Sequence, residues 1–553
     1  TRDGVDETEA EAIQDLLYIA ATSRPAASEI VSLGWVQDGM SGVEAGAIRW
    51  LNNLRDEQVL SSVVDLKWMR DGITDLEVRV TEEISYLSYS DAGQALRVVG
   101  MQFLESVEPP DLSAVDALSD LSAFRPESFA TVMSHPTIQG GITDELVPLV
   151  ATLDGVARTN PELIAVLLDP GSASMERRTV VLPLSGDVVL SIIRTAPGSA
   201  RSMDLLEHSV REVEAFMNLP LPTGYVGMLF ERAVWRDFAG ANFGTHVAVL
   251  PRYDVDDGSH EADVAGRIIA HEVAHYYWYG NNTWVDEGAA EVMASISEQA
   301  RTGQPVRVTN RPCAHVRTIA GLESLGTTSE EGADSAYGCN YSLGERLFVD
   351  LHRRLGEEAF GQGLHDLYLI SVAKGEDGVR DGTRAGIDEV RAAFEGDEGV
   401  GHSMIDAIAA RWYDGTEPYD TSALNTGQAN PLLRTIDGRV HLAYLAAAME
   451  GPPISTISAG AIGDGPWLLL RWTYTVGSAT EVPLELVYYY EDGFEFRRRS
   501  VSFTADARHN GSLWSWWLSV GHTSDVLWAP GLYRLHVYNE GRKLVELEYT
   551  VTP

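Results

Sequence analysis

The chain has 553 residues, and acidic residues outnumber basic ones 81 to 41, which gives a net charge of −40 with His neutral. A charge this negative disfavours binding to nucleic-acid backbones and docking on anionic membranes through basic patches. Hydrophobic residues make up 44% of the chain, which excludes disorder throughout, and the length predicts about three domains.

Only three of the 41 basic residues are lysines, at positions 67, 374 and 543. Acid-rich, lysine-poor surfaces keep proteins soluble when salt screens charge repulsion, which would suit a saline habitat. A preference for Arg codons in a GC-rich genome is the alternative interpretation. No apolar run reaches the roughly 18 residues that span a bilayer, so no transmembrane segment is predicted. Because the sequence starts at Thr1 without an initiator Met, we expect a mature or trimmed form.

The first region, residues 1–172, contains a sequence repeat. Leu33–Met40 (LGWVQDGM) recurs 33 residues later as Leu66–Ile73 (LKWMRDGI), and weaker copies start near Met101 and Thr137. A period of this length with helical patterning predicts an all-α helical repeat domain that stacks like a solenoid. Such a domain could bind a protein partner on a concave surface, or it could be a packing collar for the next domain.

The second region, residues 173–415, begins with alternating apolar segments and is mostly helical from residue 262 onward. The predicted strands are 179–184, 188–193, 225–230 and 245–250. Strands followed by helices are typical of an α+β domain.

A motif with a clear chemical interpretation lies in this region. In the HExxH sequence, His271 and His275 are four residues apart and share one face of a helix that is predicted over residues 261–280. Two imidazoles placed in this way can bind one Zn²⁺ ion, and Glu272 lies near the open position of the metal. Packing of both histidines in a core is the alternative.

A second predicted helix follows this motif, with Thr283 as its expected N-cap and Asp286 in its first turn. Glu287 in the same turn is the natural third ligand, because catalytic zinc sites use two His and one Glu and leave a fourth position for water. Glu291, one turn further, is expected to accept a hydrogen bond from a ligand imidazole or to lie on a solvated face.

The third region is predicted to be all-β. Residues 416–460, which are rich in Pro, Gly and Asn, are predicted to form a linker. In residues 461–553, short alternating strands separated by turn residues predict a β-sandwich of the immunoglobulin type. The favoured interpretation of Trp514, Trp516 and Trp517 is packing within this domain, and a sugar-stacking patch is the alternative.

The chain has two cysteines, Cys313 and Cys339. One structural disulfide would suit a secreted protein, whereas a pair of buried thiols is the alternative. We expect an extracellular or cell-envelope location and a prokaryotic source.

The HExxH motif followed by Trp284-x-x-Glu-Gly-x-Ala resembles the gluzincin zinc metallopeptidases, and the aminopeptidase N family most closely. A later block that starts Tyr341-Ser-Leu-Gly344 is also similar, and the resemblance covers about residues 175–415. It implies a thermolysin-like α+β domain with one zinc ion. The implied site residues are the metal ligands His271, His275 and Glu287, the general base Glu272 and the oxyanion stabiliser Tyr341.

Two departures from the family pattern bear on specificity. Only eleven residues separate His275 from Glu287, fewer than in the aminopeptidases. The strand at Gly240–His246 lacks the Gly-x-Met-Glu-Asn motif, whose Glu binds the free amino group of the substrate in that family. An endopeptidase is therefore at least as compatible with the sequence as an exopeptidase.

The predicted function is that of a secreted zinc metallopeptidase acting on a peptide or protein substrate. The metal lowers the pKa of its bound water, Glu272 takes the proton, and the metal and the Tyr341 hydroxyl stabilise the oxyanion. His246, His315 and His365 could line the site, although packing is favoured for them. The alternatives are a zinc hydrolase with a non-peptide substrate and a catalytically inactive scaffold whose repeats and sandwich bind a partner. The intact Glu272 argues against the scaffold.

Overall fold

The computed structural model describes residues 7–231, 239–257, 259–310, 313, 316–325, 337–376, 385–395, 402–415, 433–447, 449, 453–458, 466–519 and 531–552. The chain forms two compact units, one of Thr1–Asp257 with Ile268–Tyr277 and one of Gly258–Arg267 with Trp278–Pro553. Among the helices in the described ranges, none combines the length and apolar character that a bilayer span requires. The predicted domain boundaries stay a prediction.

The first part of the chain is helical as far as Leu168. Its helices are α1 (Glu7–Thr22), α2 (Arg24–Val31), α3 (Gly34–Gln37), α4 (Gly42–Asn53), α5 (Glu57–Val64), α6 (Lys67–Asp71), α7 (Asp75–Ser90), α8 (Ala92–Val99), α9 (Pro109–Phe124), α10 (Pro126–Ser134), α11 (Pro136–Gln139), α12 (Val147–Val150), α13 (Leu153–Thr159) and α14 (Leu163–Leu168), with a 3₁₀ turn at Gln102–Leu104. Capping boxes fix the starts of α4 and α7, where Ser41 and Thr74 exchange hydrogen bonds with Glu44 and Glu77.

The repeated tryptophan joins each helical repeat to the next one. Trp35 Nε1 donates to the carbonyl oxygen of Met69 at 2.8 Å, and Trp68 Nε1 donates to that of Leu104 at 2.9 Å. Both rings are buried, so each indole supplies apolar area to the core and satisfies its single donor across the repeat boundary. The sequence period of 33 residues therefore corresponds to a repeated contact.

Acidic side chains of α7 and α9 lie partly buried close to one another. Burial, followed by the charge of Asp116, raises the pKa of Glu83 to about 8. Burial, followed by the charge of Asp120, raises the pKa of Asp116 to about 6. Each raised pKa means that the folded state disfavours the ionised carboxylate.

We expect the first unit to lose stability as the pH rises from about 6 to 8.5. An unperturbed Glu ionises near 4.5 and folded Glu83 near 8, so the favourable contribution is complete below about pH 4.5 and is lost as the pH rises through 8. The loss should be on the order of 2 kcal/mol for this residue. Calorimetric unfolding should show it in the wild type and in Glu105→Gln, an exposed control. An equal loss in Glu83→Gln would contradict the assignment.

A five-stranded sheet follows the helical part. Its elements are β1 (Ser174–Leu182), β2 (Gly186–Arg194), α15 (Arg201–Met217), β3 (Tyr225–Phe230), β4 (Gly240–Asn242) and β5 (Val247–Val249), and a 3₁₀ turn follows at Pro251–Tyr253. The strand order is β1-β2-β3-β5-β4, with β2, β3 and β5 parallel and the two outer strands antiparallel to their neighbours. Val189, Ile193 and Leu229 belong to the same apolar core as the helical repeats. Strand β4 forms one edge of the sheet.

The helices of the central region are α16 (His260–Ala274), α17 (Thr283–Thr302), α18 (Ile319–Ser324), α19 (Gly338–Leu355), α20 (Glu357–Glu376), α21 (Ile387–Glu395) and α22 (His402–Trp412). A disulfide joins Cys313 to Cys339, as the favoured interpretation of the sequence expects. The predicted N-cap at Thr283 is wrong by one residue, because the cap is Asn282. The Asp286 carboxylate instead fixes the preceding turn by accepting from Asn281 N at 3.0 Å and Asn281 Nδ2 at 2.7 Å.

The last part of the chain is built of strands. They are β6 (Asp437–Ala446), β7 (Pro453–Ile454), β8 (Thr456–Ser458), β9 (Trp467–Thr475), β10 (Thr480–Tyr490), β11 (Glu495–Ala505), β12 (Trp514–Ser519), β13 (Gly531–Asn539) and β14 (Arg542–Thr552). They form two sheets, β11-β10-β13-β14-β8 and β12-β9-β6-β7. Trp472 of one sheet stacks on Phe503 of the other with ring centroids 3.8 Å apart, and Trp516 stacks on Trp472. Strands β6 to β8 fall within residues 416–460, the predicted linker. Their residues pair with strands of the two sheets, so this part of the chain belongs to the sheets. The immunoglobulin type stays a prediction.

Candidate metal centre

Two histidines of the HExxH motif direct ring nitrogens towards a common point. His271 lies in the last turn of α16, and His275 follows just past the end of that helix. The two Nε2 atoms are 3.2 Å apart, and the rings meet edge to face with centroids 4.8 Å apart. The spacing of four residues therefore places both imidazoles on one side, as the sequence predicts.

Glu287 brings a carboxylate to the same place from near the start of α17. One ligand atom each of His271, His275 and Glu287 lies within 4.8 Å of the other two. His271 and Glu287 are buried, and His275 is half-buried. Within the described ranges, no other three side chains of His, Cys, Asp or Glu cluster in this way. The structure thus brings the three predicted ligands together.

The donor set fits a zinc ion. Zinc binds His nitrogens at about 2.0–2.1 Å with tetrahedral geometry, which places two such nitrogens about 3.3 Å apart. The separation of 3.2 Å between the two Nε2 atoms matches this value. Two imidazoles and one carboxylate are also the protein ligands of catalytic zinc sites that keep a fourth position open.

Glu272 lies between the two histidines in sequence and packs against the edge strand β4. A Cβ atom at Gly240 would lie 2.8 Å from Glu272 Oε1, so only a glycine leaves the space that this carboxylate occupies. Asn242 Nδ2 donates to the backbone oxygen of Glu272 at 2.7 Å. The predicted general base is therefore buried, and its backbone and side chain both lie against β4.

Two tyrosines stand at the start of α19. The Tyr337 hydroxyl donates to Glu287 Oε1 at 3.3 Å, and the Tyr341 ring packs edge to face against that of Tyr337 at 6.0 Å. Burial and the Glu287 charge raise the pKa of Tyr337, so its hydroxyl keeps the proton that it donates. The sequence motif does not include Tyr337, and its spacing of four residues from Tyr341 is the signal in the sequence that points to it. The oxyanion role of Tyr341 stays a prediction.

A contact between two glycines brings α17 and α19 close together. A Cβ atom at Gly288 would lie 2.5 Å from the carbonyl carbon of Gly344, and one at Gly344 would lie 2.1 Å from the carbonyl oxygen of Trp284. Neither position can accept a side chain unless the helix backbones move apart. Each glycine is near a site residue in sequence, Gly288 directly after Glu287 and Gly344 three residues after Tyr341. The contact therefore sets the approach of the tyrosines to Glu287.

Glu291 forms an ion pair with Arg267, which lies one turn before His271 on α16. Arg267 also contacts Glu345 at 3.1 Å and Glu298 at 3.7 Å. Glu345 accepts hydrogen bonds from Thr309 N and Asn310 N, both at 2.8 Å. Glu291, for which the sequence predicts a hydrogen bond to a ligand imidazole or a solvated face, therefore takes part in a largely buried ionic cluster.

The remaining candidate histidines are placed differently from one another. His246 is buried, its ring stacks on Phe243, and a Cβ atom at Gly155 would lie 2.2 Å from its Cε1. Burial, with a smaller effect of Arg158, lowers the pKa of His246 to about 3, so this ring is a neutral packing group. His365 lies on α20, and His315 is outside the described residues.

Comparison with known proteins gives one match in sequence. No family model matches the chain. The chain is 25% identical over 320 residues to the aminopeptidase N of Lactococcus lactis subsp. lactis, which covers 51% of this chain and 36% of that protein. The chain thus spans about a third of the length of this relative.

Comparison with solved structures gives matches of low similarity, as two examples illustrate. The M1 zinc metallopeptidase from Deinococcus radiodurans matches at 16% identity and a TM-score of 0.30, over 44% of this chain and 53% of that one. Aminopeptidase A of Legionella pneumophila matches at 11% identity and a TM-score of 0.32, over 64% of this chain and 36% of that one. TM-scores of this size do not establish a common fold. The sequence match to aminopeptidase N confirms that this chain resembles the aminopeptidase N family, as its HExxH and Glu-Gly motifs predict.

Proposed function

We propose that the chain is a zinc-dependent peptidase that hydrolyses peptide bonds. The observation that carries this proposal is the convergence of the His271, His275 and Glu287 ligand atoms within 4.8 Å, with Glu272 next to His271 in sequence. A structural zinc site normally has four protein ligands, whereas three ligands with an adjacent carboxylate are typical of hydrolytic sites.

Bound zinc would act as a Lewis acid that polarises the scissile carbonyl and makes water more acidic. The Glu272 carboxylate accepts the proton of the attacking water and passes it to the nitrogen of the leaving amine. The Tyr341 hydroxyl donates to the carbonyl oxygen as this oxygen gains negative charge. Tyr337 acts through Glu287, because its hydrogen bond holds one carboxylate oxygen in place.

The open edge of strand β4 is a second argument that the substrate is a peptide. It pairs with β5 on one side, and within the described residues its other side has no strand partner. An open edge presents backbone N–H and C=O groups with which an extended peptide can pair. Since Gly240 of this strand lies against the Glu272 side chain, a peptide paired there would bring its backbone near the general base.

Cleavage of peptide libraries, with and without a zinc chelator, tests this proposal. We expect cleavage that the chelator abolishes, that its non-chelating isomer leaves intact, and that added zinc restores. Comparing peptides with free and blocked amino termini then distinguishes removal of terminal residues from internal cleavage. Absent or chelator-insensitive cleavage would contradict the proposal and favour the scaffold or non-peptide alternative.

The two tyrosines should respond differently to loss of their hydroxyl groups. Tyr341→Phe should lower kcat by on the order of 100-fold or more with little change in KM, because it removes a donor to the oxyanion. Tyr337→Phe should weaken zinc binding by about tenfold or more, because it removes a hydrogen bond to a metal ligand. Steady-state kinetics and zinc competition titrations check both. Equal zinc affinity in wild type and Tyr337→Phe would show that Tyr337 does not position Glu287.

We also propose that the protein is secreted or associated with the cell envelope. The Cys313–Cys339 disulfide supports this location, because disulfides persist in oxidising compartments. Fractionation of the source cells followed by thiol labelling tests it, and a reduced cytosolic form would contradict it. A protein partner of the helical repeats stays a prediction.

A further inference from the structure

A cavity of about 320 Å³ lies in the second unit, and none of the metal-ligand residues line it. The ends of α17 and α19 line it together with strand β11. Its charged and hydrogen-bonding lining includes Gln304, Arg307, His352, Arg353, Arg497 and Arg498, and Glu495 is its single carboxylate. The volume is that of a small-molecule site. Four arginines among the lining residues of one cavity are unusual in a chain whose net charge is −40.

Only part of this positive charge is neutralised by neighbouring carboxylates. Arg498 pairs with Glu495 at 3.0 Å and with Glu485 at 2.9 Å. Arg353, by contrast, donates to the backbone oxygen of Glu495 at 3.2 Å and lies over the Phe494 ring at 5.2 Å. Among the described residues, no carboxylate lies within ion-pair distance of Arg353. This exposed guanidinium therefore retains its charge at the cavity.

Two other lining residues have buried polar atoms that lack a hydrogen-bond partner among the described residues. Arg307 is 7% exposed and pairs with Glu298 through its terminal nitrogen at 3.1 Å, while its Nε atom has no hydrogen-bond partner within the described part of the chain. Both ring nitrogens of His352 are likewise buried without such a partner. Buried donors destabilise a folded protein unless a ligand or water satisfies them.

We propose that this cavity binds a small molecule that carries a dianionic tetrahedral oxyanion, as a phosphate monoester does. Guanidinium groups form short, charge-assisted hydrogen bonds with phosphate oxygens and can bind them in pairs. The arginines of the lining come from three parts of the chain, with Arg307 after α17, Arg353 at the end of α19 and Arg498 on β11. Arginines from three separate parts of the chain suit the three terminal oxygens of a phosphate ester better than the two oxygens of a planar carboxylate.

Calorimetric titration of the full chain with glycerol phosphate at constant ionic strength tests the proposal. We expect one bound ligand per chain and an affinity that falls as salt is raised. Arg353→Ala, which removes an exposed side chain, should weaken binding by about tenfold or more. Gln304→Glu, which adds a carboxylate to the lining at an exposed position, should weaken it similarly. Arg508→Ala is the matched control, because this exposed arginine of the same unit is not among the residues that line the cavity and pairs with Asp506.

Three results would overturn the proposal. One is the absence of binding to glycerol phosphate, inorganic phosphate and sulfate. Another is binding that disappears when zinc is removed and is unchanged in Arg353→Ala and Gln304→Glu, since the ligand would then occupy the metal centre. The last is tighter binding of succinate than of any tetrahedral oxyanion, which would assign the cavity to dicarboxylates.

Discussion

Replacing Glu272 with Gln is expected to abolish peptide hydrolysis and to leave zinc binding intact. The amide has nearly the same shape as the carboxylate, so it fits the space beside Gly240. It cannot accept the proton of the attacking water, and removal of such a general base typically costs about 100- to 10,000-fold in kcat. His271, His275 and Glu287 are unchanged, so one zinc ion per chain should remain.

The measurements are kcat on a cleaved library peptide and the zinc content of the purified variant. Glu358→Gln is a matched control, because it makes the same chemical change at an exposed position on α20. It should have wild-type kcat and zinc content. A Glu272→Gln variant that holds zinc and retains wild-type turnover would remove Glu272 from the mechanism. A variant that loses zinc would show instead that the carboxylate supports the metal site.

The metal centre could be predicted because its three ligands lie close together in the sequence. His271 and His275 lie one helical turn apart on one face, and Glu287 follows at the start of the next helix, so one short segment of the sequence holds all three ligands. Tyr337 was not found, because its contact with Glu287 joins residues 50 positions apart. The sequence likewise does not identify Arg267 as the partner of Glu291, because only the packing of α16 against α17 brings these two side chains together.

In the fold, too, features that depend on residues close in sequence could be predicted, and features that depend on pairing between distant residues could not. The strand predicted at 225–230 coincides with β3, and the repeat spacing of 33 residues coincides with the Trp35–Met69 contact. By contrast, β6 lies within the predicted linker and pairs with β9, which lies outside it. The Pro-, Gly- and Asn-rich sequence around β6 does not indicate a strand, and only its pairing with β9 identifies it. Similarly, no periodic pattern in the sequence predicts that β4 is the edge strand of its sheet or that it lies beside Glu272.

Replacing Gly344 with Ala is expected to destabilise the second unit and to impair the site. The new Cβ atom would lie 2.1 Å from the carbonyl oxygen of Trp284 and 2.9 Å from the Cα of Gly288. Both are backbone atoms, so α19 must move away from α17 and take Tyr337 with it. Overpacking of this kind typically costs about 1–3 kcal/mol, and we expect the upper end because the backbone itself must shift.

Denaturant unfolding, zinc competition and kcat measure these consequences separately. Gly46→Ala is the matched control, since it makes the same change within helix α4, where the added atom would meet only Val78 Cγ1 at an ordinary 3.6 Å. It should be neutral or stabilise by about 0.5–1 kcal/mol through helix propensity. If Gly344→Ala matched wild type in stability and zinc affinity, the two helices would not be in backbone contact. If it lost stability but kept wild-type zinc affinity and kcat, the glycine contact would hold the helices together without setting the position of the tyrosines.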